Sequence, residues 1–90
     1  FSLFVDALTR AGVRAGLPAA CAREMVESTM RGCAEQLLNE SVHPREYMER
    51  VTSPGGTTAA ALYELEGPLT EGTYAAIDAA LARTRELAQG

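Results

Sequence analysis

Val51-Thr52-Ser53-Pro54-Gly55-Gly56-Thr57-Thr58 runs directly into Ala59-Ala60-Ala61-Leu62. This stretch closes one helix and opens another. Pro54 has no backbone N–H to donate, and it biases Ser53 away from helical geometry. Gly55 and Gly56 let the backbone turn sharply and leave no side chain in the way of a ligand. Thr57 and Thr58 then fall in the first turn of the next helix. The leading amides of a helix have no internal partner, and the dipole there favours negative charge. A small anion such as a carboxylate suits that position. Taken alone, a Gly-Gly-Thr step reads more simply as a loop that caps a helix.

The residues on either side are helical in pattern. Phe1, Phe4, Val5, Leu8 and Ala11 or Gly12 share one face of a first helix. Gly16 is its stop, and Pro18 suits the first turn of a second helix over about 18–39. On that helix Ala22, Met25, Val26, Thr29, Cys33 and Leu37 form a stripe, widened by Met30, Ala34 and Leu38. A stripe this wide predicts burial on more than one side, with the methionines as core fillers. Ser41 is placed to cap a short third helix, with Pro44 near its start, Glu46 at capping-box range and an end near Val51. A fourth helix is predicted from about Gly56 to Glu66, where Gly67-Pro68 breaks it. A fifth follows over about 71–89, with Tyr74, Ile77 and Leu81 on its inner face. No strand pattern of useful length appears. The expected fold is all-α, with about five helices and short connections.

Composition sets further bounds. Ninety residues allow one small domain, and a hydrophobic share of 47% excludes a disordered tail. So short a chain buries a modest share of its surface by itself, and oligomerisation often supplies the rest. Sixteen alanines favour helices that approach closely. The net charge is -4, there is no lysine, and the eight arginines are dispersed. That distribution argues against a nucleic-acid partner and against an anionic membrane surface. No apolar run reaches the ~20 residues of a spanning helix, and no signal-peptide pattern opens the chain. Cys21 and Cys33 share the second predicted helix at a separation of about 18 Å, too far for a disulfide. They read as small buried hydrophobes in a reducing compartment. A single histidine with no paired Cys or His spacing predicts no metal site.

The loop offers anion capture and hydroxyls, and little else. Ser53 Oγ, the amides of Gly56, Thr57 and Thr58, and the Thr58 hydroxyl converge in sequence. No general base, partnered nucleophile or Gly-x-Gly-x-x-Gly fingerprint accompanies them. His43, next to Pro44 at a helix start, reads as a structural residue of the turn. Tyr47, Tyr63 and Tyr74 read as packing residues with wet hydroxyls, and the charges at Arg45, Glu46, Glu49 and Arg50 as a solvated face.

With His43-Pro44 upstream, the run Val51-Thr52-Ser53-Pro54-Gly55-Gly56-Thr57-Thr58 resembles the C-terminal domain of pyrroline-5-carboxylate reductases. Ala11-Gly12-Val13-Arg14-Ala15-Gly16-Leu17-Pro18 and Arg83-Thr84-Arg85-Glu86-Leu87 extend the resemblance over nearly the whole chain. Arg31 departs from it, standing where the family often has an apolar residue. The resemblance implies that residues 1–90 are a helical dimerisation domain, intertwined with that of a second subunit. It implies an N-terminal Rossmann domain, absent from this chain, that binds NADPH or NADH, so no cofactor-binding residue is expected here and the isolated chain should be inactive. The implied reaction is the NAD(P)H-dependent reduction of 1-pyrroline-5-carboxylate to L-proline by the complete protein, a cytoplasmic homodimer or higher oligomer. By the same likeness, Ser53, Gly55, Gly56, Thr57 and Thr58 bind the substrate carboxylate, and Thr58 is the catalytic residue beside the ring nitrogen. The alternative is a non-enzymatic helical dimerisation module that retains the loop without its partner domain.

Overall fold

A computed structural model describes all ninety residues, Phe1–Gly90. They form four helices and no strand: α1 (Ser2–Arg14), α2 (Ala19–Glu40), α3 (Pro44–Val51) and α4 (Thr57–Gln89). The fold is all-α, as the periodicity predicted, but with four helices in place of five. The difference lies at Gly67-Pro68, which sits inside α4 without ending it. Proline's fixed φ is itself helical, and its costs are the missing N–H toward the Glu64 carbonyl and the crowding of its ring against that carbonyl. A further obstacle is the clash of the proline ring with the backbone N–H and Cβ of the preceding residue. Gly67 has no Cβ, which relieves part of that clash, and the helix runs through the step.

The chain divides into two compact units, Phe1–Tyr47 and Met48–Gly90. In the first, α1 packs on α2. The connection is a Schellman turn. Gly16 N–H donates to Val13 O and Leu17 N–H to Gly12 O, each at 3.0 Å. Gly16 takes the left-handed conformation that this turn requires, with φ +114°. Leu17 then folds back over Gly12, where a Cβ would lie 3.5 Å from its Cδ1. The same Cβ would lie 3.3 Å from Ala22 Cβ. Two small residues therefore let the helices close on each other, and Ala22, at 1% exposure, is the one buried residue of the chain.

The rest of α2 is less covered than its stripe predicted. Val26, Cys33 and Leu37 are half-buried, but Met25, Met30 and Leu38 are exposed. Cys21 is likewise exposed, so only Cys33 comes near the expected burial, and both thiols are free. Ser41 does not cap α3. It ends α2, with φ 53° and ψ 33°. The capping role falls to His43, whose Nδ1 accepts from the Arg45 N–H at 3.0 Å and whose carbonyl accepts from the Tyr47 N–H at 3.0 Å. Tyr47 is half-buried, and its hydroxyl donates to the Gln36 side chain of α2.

The second unit contains no buried residue. Its long helix exposes Tyr63, Tyr74, Ile77, Leu81 and Leu87 at 85%, 68%, 57%, 49% and 65%. The inner face predicted from Tyr74, Ile77 and Leu81 thus exists as a pattern without a covering surface in this chain. Burying such side chains contributes roughly 1.5–3 kcal/mol each, so covering this face would stabilise α4 by on the order of 5 kcal/mol. In proteins most helical stability comes from such packing of an apolar face.

Candidate functional site

The loop ahead of α4 is built by a tight turn. Gly56 N–H donates to Ser53 O at 3.0 Å, with Pro54 and Gly55 at the two central positions. Gly55 has φ +71°. Proline first and a positive-φ glycine second is the chemistry of a type II turn. Gly56 is needed for a different reason. A Cβ there would lie 3.2 Å from Ser53 O and 3.4 Å from Ser53 Cβ. The backbone passes too close to itself at this point for a side chain to fit easily.

Gly56 is also the N-cap of α4, with extended backbone (φ -84°, ψ -177°) and no side chain to cap with. Its carbonyl accepts from the Ala60 N–H at 3.2 Å. The next three residues, Thr57, Thr58 and Ala59, are therefore N1 to N3, whose amides have no intrahelical acceptor. This revises the expected donor set. The Gly56 amide is engaged by Ser53 O, and the Ala59 amide takes its place among the free donors. Ala59 was missed because the sequence reading began the helix at Gly56. Moving the cap one residue along would have found it.

The electrostatics favour an anion. A helix carries about half a positive charge at its N-terminus, and α4 has no acidic residue in its first turn to neutralise it. Ser53, Thr57 and Thr58 are exposed, so a ligand can reach them. Successive helical residues point about 100° apart, so Thr57 and Thr58 present their hydroxyls in different directions. Thr52, just before the turn, is half-buried, and its Oγ1 is covered and unpaired.

The surroundings narrow the chemistry. His43 has its Nδ1 occupied as the α3 cap. No group of three or more His, Cys, Asp or Glu residues is arranged to hold a metal ion. No helix is long and apolar enough to cross a membrane. In the first unit, Leu8, Ala11, Gly12, Leu17, Met25 and Val26 line an apolar groove of about 400 Å³.

Residues 1–87 match the family described as pyrroline-5-carboxylate reductase dimerisation. Among curated proteins, the chain is 38% identical over 87 residues to pyrroline-5-carboxylate reductase 3 of Macaca fascicularis, covering 96% of this chain and 32% of that protein. It is 41% identical over 88 residues to pyrroline-5-carboxylate reductase of Arabidopsis thaliana, covering 97% of this chain and 32% of that protein. For pyrroline-5-carboxylate reductase of Pisum sativum the figures are 42% over 86 residues, 94% and 32%. The chain thus spans about a third of the length of these relatives.

Proposed function

We propose that this chain, which belongs to the pyrroline-5-carboxylate reductase dimerisation family, is the C-terminal domain of a complete reductase and contributes its substrate loop and its dimer interface. The complete protein would reduce 1-pyrroline-5-carboxylate to L-proline with NADPH or NADH. The observation that carries the substrate role is the uncapped, acid-free start of α4 behind the turn at 53–56. The chain carries no Gly-x-Gly-x-x-Gly turn after a strand. The nicotinamide would be held by a separate domain of the complete protein.

The residues of the loop divide the work. The Ser53 hydroxyl and the amides of Thr57, Thr58 and Ala59 hold the substrate carboxylate. Gly55 and Gly56 hold the turn and keep the approach open. The Thr58 hydroxyl sits beside the ring nitrogen and donates to it as the adjacent carbon is reduced. Binding and orientation are the larger contribution, because a cyclic imine is already reactive toward hydride. The partner is a second copy of the chain with intertwined helices. The support for it is the uncovered face of α4 together with the apolar groove of the first unit.

Steady-state kinetics of three variants of the complete protein test the assignment. The carboxylate is charged in both ground and transition states, so Ser53→Ala raises KM more than it lowers kcat. Charge at the nitrogen changes during the reaction, so Thr58→Ala lowers kcat by ~10-fold or more. Thr57→Ala is mild, because its hydroxyl points elsewhere. A Thr57→Ala loss equal to that of Thr58→Ala, or a silent Thr58→Ala, would refute these roles.

A further inference from the structure

The joint in α4 has a consequence beyond its local geometry. Pro68 cannot donate to the Glu64 carbonyl, and a proline in a helix interior disfavours the helix by about a hundredfold. Gly67 and Gly72 each disfavour it by a further few-fold. Thr73 adds a hydroxyl bonded to the Leu69 carbonyl at 2.7 Å, a contact that slightly weakens helices. Four unfavourable features thus lie within two turns of one another. No burial within the second unit offsets them, since none of its residues is buried. Beyond the joint, Tyr74, Ile77, Leu81 and Leu87 are all largely exposed. A helix weakened at its middle and uncovered beyond it stands only when something outside the unit covers it.

We infer that Gly67-Pro68 is a conformational threshold: α4 becomes one continuous helix only when a second copy covers it, so that ordering of residues 69–89 and assembly are a single event. This rests on the reading of the chain as a dimerising domain. The proline acts as a brake on assembly. Its cost is carried only by the state in which the helix runs through it, so the dimer bears it and the separated chains, with α4 parted at the joint, do not. Removing the ring therefore favours the dimer. The glycine before it is tied to the ring, because a Cβ at position 67 meets nothing within 4 Å in the fold and is opposed only by the proline Cδ.

The experiment measures the dimer dissociation constant of the complete protein by sedimentation over a dilution series. Wild type, Pro68→Ala, Gly67→Ala and the double variant are compared, with hydrogen exchange of residues 69–89 followed in parallel. Both copies of α4 bear the cost, so Pro68→Ala, gaining roughly ten- to a hundredfold per chain, is expected to tighten the dimer by about a hundred- to ten-thousandfold. Gly67→Ala is expected to help more in the Pro68→Ala background than alone. Residues 69–89 exchange slowly in the dimer and rapidly on dilution. A Pro68→Ala dimer of unchanged or weaker affinity overturns the threshold and leaves the dimer reading standing. So does slow exchange of 69–89 in the separated chains. A protein that stays monomeric at every concentration overturns the dimer reading, and this inference with it.

Discussion

Where α1 meets α2, the contact is made by a glycine and an alanine, and a leucine from the turn folds over them. Along α4, with its tyrosines, leucines and isoleucine, no side chain is fully buried, and every residue beyond Leu62 is exposed. The region with the small residues has made its contact, and the region with the large ones has not. Small residues let two backbones approach within a single short connection, so their burial is local. Large apolar residues spread along a long helix need an equally long second surface, which the second unit does not contain. One region is a preformed scaffold. The other is an uncovered surface, with the tight turn at 53–56 at its leading end.

The largest test of that contrast is overpacking. Ala22→Leu forces extra volume into the α1–α2 contact and should destabilise the protein by about 2–3 kcal/mol. Ala82→Leu places the same change on the side of α4 that carries Glu71 and Asp78, and should stay within about 0.5 kcal/mol. Urea unfolding of both variants decides. Equal losses would mean that α4 is as closely packed on that side as the hairpin is at Ala22.

A smaller effect is expected at the turn. Gly55→Ala must hold φ +71° with a side chain, at a cost of about 1 kcal/mol. Gly55→Asn should cost less, since asparagine tolerates that conformation. If the two variants unfold alike, the left-handed conformation at 55 is not what holds the loop.

The smallest is at the start of α3. His43→Ala removes the acceptor for the Arg45 N–H and should lose about 0.5–1 kcal/mol, whereas His43→Asn restores a good cap. A thermal melt in which asparagine rescues nothing would show that the imidazole contributes by packing and not by capping.

Much of this architecture was legible from local chemistry. Gly16 stops α1 because only a residue at ease with positive φ closes a Schellman turn, and Pro18 immediately precedes α2. The turn at 53–56 follows from proline and glycine at its two central positions. The donor set was legible but for one residue, since Ala59 entered and the Gly56 amide left when the cap was placed. Ser41 misled because serine is a good N-cap, yet here the chain needed a left-handed residue to leave α2. Gly67-Pro68 misled for a related reason. The rule that proline ends helices rests partly on the side chain before it, and glycine has none.

The sequence by itself determined that the chain is helical, where α1 and α2 begin and end, and where a tight turn leads into α4. Each of these depends on neighbours a few residues apart, through backbone dihedrals, missing donors and the period of apolar side chains. Only the tertiary structure decided that Ala22 is buried while Met25, Met30 and Leu38 are not. Burial depends on what lies opposite a residue in space. An apolar period states that a face seeks cover, and carries no information about which surface covers it.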